Sequence, residues 1–537
     1  MAEHTEQMAF ARKASGLVRG LSLVDAFGVG FMNQGLTVSM WVMISMGLSV
    51  YTGGNLIIAT LLSALLCGVG FSLVWGILGG SMPRSGGEYI YNSRILSPVI
   101  GIAESFGNAF VWIMWIFVLA PWTVDPGLVM LFQFLGLPKA AEFCTTHWAL
   151  FLFSSIVSLI AMLFLIFGMK VFAMAQKIVM GLGTLGGLVI LLLFTFTSHD
   201  AFIQAWNSVA AQYGSLNYDA FLVAAKTAMA AAGTALPVTW NWLDTLGVMV
   251  AGSWLFAYSY CITFIAGEVK RPDKAIILGN LFAIIVPAFF MLWLAIVLYR
   301  TVGFQFLSAT AWVDYNGLTG YTVPWSTHYV GLAAMLTKSP LLLIMMAGSF
   351  ILFNIWYVAL SYLAFPRILF AWGMDRMGPK WFTDIDYRWA TPVKNHILCF
   401  VLGEIGIAIY SFWQNPMSGL SITAMEVVSV FGVTAIAALI FPYVKKVAHI
   451  WESSPYKTWK VLGIPAVTFG AIFNLVYLLI LFVFYVFMPG FETYTGWTVL
   501  FYAIVWGLGV GWYFYWKGRN KRNGLDSNLT YGELPPD

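Results

Sequence analysis

"GVGFMNQG", residues 28–35, lies inside the first long apolar run of the chain. Glycine weakens a helix by roughly 1 kcal/mol against alanine, and this stretch holds Gly28, Gly30 and Gly35. Asn33 and Gln34 add amide donors and acceptors to oily surroundings. A segment that reads as a membrane span therefore carries an interruption in its middle. Irregular backbone at membrane depth is tolerated only where it is buried in protein or lines a cavity. The N–H groups freed at such a break share the positive end of the following half-helix, which begins near Leu36, and suit a carboxylate. The freed carbonyls suit an ammonium group or a cation, so one broken helix can hold both ends of a zwitterion. The other reading is that the three glycines only allow close helix packing.

The rest of the chain supports a membrane setting. Of 537 residues 60% are hydrophobic and 9% charged, where soluble domains carry about 25% charged residues. Mean hydropathy is +0.83. A helix needs about 20 mainly apolar residues to cross the hydrocarbon. Twelve stretches qualify, near 22–46, 55–80, 97–121, 147–168, 174–198, 247–267, 275–300, 339–366, 395–414, 420–443, 462–488 and 495–516. The fold class predicted is an all-α polytopic membrane protein. With an even number of spans both termini share a side, and 23 of the 27 Lys and Arg residues fall there. Only Lys139, Lys226, Arg300 and Lys338 fall on the other. The positive-inside rule then predicts cytoplasmic termini.

The first twenty residues are polar, and the apolar run after them is too long for a signal-peptide core, so no cleaved leader is expected. Residues 1–21 read as a cytoplasmic segment, 22–516 as one transmembrane domain, and 517–537 as a polar, disordered cytoplasmic tail. On the external side the connection 199–246 contains "YDAFLVAAKTAMAAAGT". Its composition suits a capping surface helix or a mobile loop. Five spans over 22–198 and five over 247–443 would form an inverted repeat, with 462–516 as two additional helices. A six-plus-six arrangement has the same count; the broken first span favours five plus five.

Four further stretches carry a family resemblance. "LSLVDAFGVG" (21–30), "PRSGGEYIYNSRILSPVIG" (83–101), "FAYS" (256–259) with "GEVKRPDKAI" (267–276), and "PRILFAWGMDRMGPKWFTDIDYRWATPVKNH" (366–396) occur in order. Together they resemble the amino acid–polyamine–organocation (APC) superfamily over residues 21 to about 400. The resemblance implies a five-plus-five inverted-repeat transporter with helices one and six interrupted, moving amino acids or amines. It implies a substrate site at Gly28, Gly30, Phe31, Met32, Asn33, Gln34 and Gly35 of helix one and at Phe256, Ala257, Tyr258 and Ser259 of helix six. Asn108, Trp112 and Asn354 are candidate walls from spans three and eight. The chain departs from the family where a Gly-Ser-Gly group is usual, since Gln34, Gly35 and Leu36 stand there. It departs again at helix six, which has neither Gly nor Pro between Gly252 and Gly267. Phe256 and Tyr258 suit aromatic gates over a substrate, or plain core packing.

Charged side chains at membrane depth need a partner, a proton or water, because insertion costs about 2.5–3.5 kcal/mol each. Asp25 sits at the start of span one and matches the family's inner gate. Glu104 in span three shares a helical face with Gly107 and Asn108 and is read as a proton carrier or a hydrogen-bonded structural carboxyl. Glu404, mid-span nine, is with Asp25 and Glu104 a coupling candidate, and Glu426 lies in the outer part of span ten. In the 83–101 loop Gly86 and Gly87 permit a tight or re-entrant turn, and Glu88 is expected to pair with Arg84 or Arg94. Glu268 in "GEVKRPDK" is expected in a structural or gating ion pair. The family's proton-coupling lysine position falls near Gly183, while Lys170 and Lys177 lie close to the cytoplasmic loop. Asn354 and Ser361 are the polar groups span eight offers to a sodium ion.

Other functional classes lack residues. None of the six histidines lies mid-span, no Cys-x-x-Cys or nucleotide-binding glycine loop occurs, and the basic residues form no nucleic-acid patch. Cys67, Cys144, Cys261 and Cys399 read as packing residues. The expectation is a non-enzymatic secondary permease with no cofactor and no metal, moving an amino acid by alternating access. H+ is expected as coupling ion ahead of Na+, and lipid as the surrounding partner. An amine or polyamine permease, an exchanger, or a transporter-like nutrient sensor are the alternatives; short termini argue against the sensor.

Overall fold

The computed structural model describes residue 17 and residues 19–413, 416–488 and 496–535. The described residues are mainly helical, with a short hairpin that pairs Lys460–Val461 with Ile464–Pro465. Ten helices are long and apolar enough to cross a membrane, and two bent helix pairs bring the number to twelve. Spans one to five are Leu23–Val50, Leu56–Ser81, Pro98–Phe134, His147–Ile166 and Met169–Phe196. Span six is the pair Trp242–Ala251 and Ser253–Glu268, bent by 46°. Spans seven to nine are Pro272–Thr301, Pro340–Met374 and Val393–Trp413. Span ten is Pro416–Ile440, followed by a bent continuation through Ser453. Spans eleven and twelve are Ala466–Phe487 and Gly496–Arg522. This is an all-α polytopic membrane protein with the helix inventory expected.

The core forms around spans one, two, six, seven and eight. Span seven packs along span two and span one, and span five along span eight. Glycine sets the closest approaches: a Cβ on Gly76 would lie 2.9 Å from the Ile277 Cα, and one on Gly70 3.0 Å from the Asn474 Cα. The glycine turn expected between spans two and three forms. Gly86 and Gly87 have φ of +120° and +57°. Side chains there would also strike Ala371 and Phe264 at 2.4 and 2.6 Å. The short helix Glu88–Ile95 that follows is buried along its whole length.

Both long connections on the side away from the termini fold. Residues 199–246 contain helices His199–Tyr213 and Tyr218–Ala231, and residues 302–338 contain Phe304–Asn316 and Tyr329–Ala334. Phe306 stacks on Tyr218 at 4.0 Å and meets Trp206 edge-on at 4.9 Å. The helix reading of "YDAFLVAAKTAMAAAGT" holds, and aromatic packing of this kind is what a mobile loop lacks.

The tail departs from expectation. Span twelve continues to Arg522, and Asn520 Nδ2 donates to the Arg376 carbonyl at 2.9 Å. Tyr531 is buried, its hydroxyl 3.2 Å from that of Tyr89 and its ring 5.1 Å from the Arg94 guanidinium. Arg84 donates to the Pro535 carbonyl. Average polarity suggested disorder, but one aromatic anchor over a buried cation suffices to seat the segment. Glu426 lies outside the residues whose side chains the structure describes.

Candidate functional site

Span one is interrupted at a single residue. The helix Leu23–Gln34 runs intact through Gly28 and Gly30, and ends at Gly35, which is left-handed with φ 51° and ψ 61°. The Gly35 N–H donates to the Met32 carbonyl at 3.1 Å. A new half-helix starts at Leu36 and runs to Val50. Its first N–H groups have no intrahelical partner, as at any helix start. The two readings of the glycines therefore divide between them. Gly35 makes the break. Gly28 and Gly30 make room: a Cβ on Gly28 would lie 2.3 Å from Gln176 Nε2, and one on Gly30 3.1 Å from the Ser259 carbonyl oxygen.

Span six is interrupted twice: at Gly252, where the 46° bend falls, and again at the expected position, where neither glycine nor proline stands. Its helix stops at Phe256, Ala257 and Tyr258 form a turn, and the chain continues as a tighter helix, Ser259–Glu268. The residues that make this break affordable come from span one. Asn33 Nδ2 donates to the Tyr258 carbonyl at 2.8 Å, and Gln34 Nε2 to the Phe256 carbonyl at 3.2 Å. Ser39 Oγ donates to the Gln34 carbonyl at 2.6 Å and lies 3.3 Å from the Trp254 carbonyl. Side chains thus serve carbonyls at the two breaks, the Tyr258 carbonyl also taking a long 3.4 Å bond from the Cys261 N–H. The "NQ" pair that departs from the family pattern fastens the two breaks together. An Asn33→Ala protein should lose about 0.5–1.5 kcal/mol of stability, because the Tyr258 carbonyl would keep only the long 3.4 Å bond from the Cys261 N–H. A lowered thermal midpoint in detergent would register that loss; an unchanged midpoint would count against the fastening role.

Span eight closes one side of this junction. A Cβ on Gly35 would fall 1.9 Å from the Tyr357 ring, whose hydroxyl lies 3.0 Å from Ser39 Oγ. Phe31 meets Phe353 edge-on at 6.0 Å. Asn354, three residues before Tyr357 and so one turn away, is buried. Its two amide atoms, Gln34 Oε1 and Ser259 Oγ are buried without hydrogen-bond partners among the described residues. Gln34 and Ser259 stand at the two breaks, and Asn354 on the span that packs against both. Of the remaining expected residues, Met32 and Ala257 line the junction by backbone and burial. Trp112 lies against the second half of span six, 5.5 Å from Phe264 and 6.1 Å from Tyr260. Asn108 turns away from the breaks and donates to Glu88 Oε2 at 3.3 Å.

Toward the side away from the termini, four tryptophans cover the junction. Trp41 meets Trp122 edge-on at 5.4 Å, Trp122 stacks on Trp254 at 5.9 Å, and Trp254 meets Trp115 at 4.8 Å. Trp115 continues to Tyr258 at 5.5 Å. Nothing local in the sequence marks this cover, because most of these rings meet partners remote in sequence.

Toward the terminal side, ion pairs close the bundle. Asp25 caps its own helix through Ser22 and pairs with Lys177 at 2.7 Å. Gln176 Nε2 donates to the Asp25 carbonyl at 3.1 Å. Glu268, expected in an ion pair, meets Arg367 in a two-pronged pair of 2.7 and 3.2 Å, both side chains buried. Each comes from a different family motif. The expected pairing of Glu88 with Arg84 or Arg94 does not form. Arg94 pairs with Asp375 at 2.6 and 2.8 Å, the bidentate geometry that guanidinium and carboxylate favour. Glu88 instead accepts from Trp75 Nε1 at 3.0 Å and from Asn108. Glu104 accepts from Asn92 Nδ2 at 3.0 Å. Glu404 is half-buried on span nine, in the field of Tyr362 rather than at the breaks. At the position near Gly183, the Gly183 carbonyl accepts from Ser349 of span eight at 2.6 Å.

The sequence profile of the amino acid permease family matches residues 21–510. The chain belongs to that family. Among curated proteins none matches it. As an amino acid permease of the APC superfamily it is an integral, multi-pass membrane transporter for amino acids or amines. The permease match spans both breaks, the ion-paired end and the tryptophan cover, while the seated tail lies beyond it.

Proposed function

We propose that this permease is a secondary active amino acid transporter, coupled to protons, that works by alternating access with both termini cytoplasmic. The substrate lies between the breaks of spans one and six. Its carboxylate faces the N-terminus of the half-helix that starts at Leu36, and its ammonium group faces carbonyls of the Phe256–Ser259 turn. The supporting observation is the junction itself: two interrupted helices tied by Asn33 and Gln34, beside the unpartnered polar atoms of Gln34, Ser259 and Asn354. Residues 22–198 and 247–443 act as the two moving repeats, and 462–516 stand outside them. The tryptophan cover is the external gate and the Glu268–Arg367 and Asp25–Lys177 pairs the internal one. Protons are preferred to sodium because the Ser361 hydroxyl is turned to the Tyr357 carbonyl at 3.5 Å, and span three supplies the carboxyl of Glu104.

Thermal stability of the purified permease against amino acids and amines tests the substrate class. A ligand at about a hundred times its Kd stabilises by about 2.7 kcal/mol. At least one amino acid should raise the midpoint by several degrees, and its decarboxylated amine should not. Stabilisation by amines alone would replace the amino acid by the amine reading. No effect from either class would overturn the site.

A further inference from the structure

Glu88 is buried in the short helix between spans two and three, and no ion pair among the described residues includes it. Both its oxygens accept from neutral donors, Trp75 and Asn108. One helical turn along the same interface the arrangement is reversed: Asn92 of the short helix donates to Glu104 of span three. Glu88 and Asn92 are four residues apart, as are Glu104 and Asn108, so the contacts form two adjacent rungs about 5–6 Å apart. Each rung joins one carboxyl to one asparagine. The Oδ1 atoms of Asn92 and Asn108 are buried and have no hydrogen-bond partner. Half a turn of either amide would replace an N–H donor by a carbonyl acceptor. An asparagine so placed serves an ionised carboxylate in one orientation and a protonated carboxyl in the other.

The charges around the rungs do not neutralise Glu88. On its own helix Arg94 is held by Asp375 of span eight, and Tyr89 and Tyr91 are neutral phenols at physiological pH. Span eight also brings Arg367, which Glu268 of span six holds. Cys261 of span six is a buried thiol in the field of Glu88. Span ten offers the neutral Thr434 hydroxyl, 2.9 Å from Asn92 Nδ2. In the segment beyond span ten Lys446 donates to the Leu96 carbonyl, beside Lys445. A buried carboxyl met only by neutral donors favours its protonated form.

We propose that the Glu88–Asn108 rung, with its neighbour Asn92–Glu104, is the proton-binding site of the transport cycle. The proposal rests on the proton-symport reading above and adds the group that carries the proton. One proton from external water joins a Glu88 oxygen, the Asn108 amide turns to accept it, and the proton leaves to internal water after substrate release. Trp75 links the rung to the moving part, since it bonds Glu88 and its ring lies 5.9 Å from Tyr260 just beyond the break in span six. Burial, working against its backbone and Trp75 hydrogen bonds, pushes the Glu88 carboxyl from its ordinary 4.5 to about 7. Between those values the folded protein keeps a proton that the unfolded chain has lost. The Glu88 contribution to stability therefore falls as pH rises through that window and is level above it.

The test compares wild type with Glu88→Gln in proteoliposomes loaded with a transported amino acid. Wild type should accumulate substrate under an inward proton gradient. Glu88→Gln copies the protonated state, so gradient-driven accumulation should fall at least about tenfold while substrate counterflow stays within about twofold. Accumulation that remains gradient-driven with the wild-type pH profile would overturn the assignment. If wild type itself ignores the gradient, the symport reading fails, which is a separate result. Infrared difference spectra of wild type in detergent give a readout independent of transport. A protonated-carboxyl band should titrate near pH 7 and vanish in Glu88→Gln; a band unchanged by that substitution would also overturn the proposal.

Discussion

Replacing Gly35 by alanine should abolish uptake while leaving a protein that still enters the membrane. The backbone there is left-handed, at φ 51°. A non-glycine residue in that region costs roughly 1–2 kcal/mol. The added Cβ would also fall 1.9 Å from Tyr357 Cε2 and 2.7 Å from Cζ. The ring cannot simply step aside, because its hydroxyl is engaged with Ser39 and Ser39 with the Gln34 and Trp254 carbonyls. Overpacking of this kind costs about 1–3 kcal/mol. The combined penalty, roughly 2–5 kcal/mol, acts where the two broken helices meet. Uptake should drop by more than about tenfold, with a lowered thermal midpoint. Combining Gly35→Ala with Tyr357→Leu removes the collision but not the backbone strain, so it should restore part of the stability. Normal uptake by Gly35→Ala would mean the left-handed break is not what shapes the site.

The second large effect lies at the Glu268–Arg367 pair. Both side chains are almost fully buried, at 3% and 2% exposure. Arg367 also donates to the Leu363 carbonyl at 3.0 Å. Removing one partner of a buried pair strands the other charge and costs about 3–5 kcal/mol. Glu268→Gln and Arg367→Met should each lower stability by that order. The double substitution should recover much of the loss, since no charge is then stranded. Added salt should change none of this, because buried pairs are poorly screened. Additive losses in the double variant would show that the pair is not the origin of the effect. The same substitutions bear on transport, because the pair joins the end of span six to span eight beside the backbone tie of Leu21 to Glu268.

The sequence made the fold readable where physics is local. Apolar length predicted twelve spans, and Gly35, Gly86 and Gly87 marked turns that only glycine tolerates without strain. What it hid were partners far along the chain. Asn33 reaches a carbonyl 225 residues away, and a lone amide in an apolar run does not say whether it awaits a substrate or a backbone. The same distance hid Arg94 from Asp375 and left Glu88 misassigned to the nearest arginines. Composition also misread the tail, where one buried tyrosine outweighs the surrounding polar residues. Gly28 and Gly30 show a further limit: glycines seven and five residues before the break at Gly35 serve helix packing, and only the neighbours Gln176 and Ser259 reveal it.

The central claim is that the junction of spans one and six carries an amino acid across the membrane with a proton. Uptake of radiolabelled amino acids into proteoliposomes, with and without an inward proton gradient, tests it most directly. The account predicts saturable uptake of at least one amino acid that the gradient drives above equilibrium and that collapses when the gradient is dissipated. Absence of uptake or exchange for every amino acid and amine, or uptake indifferent to the gradient, would contradict it.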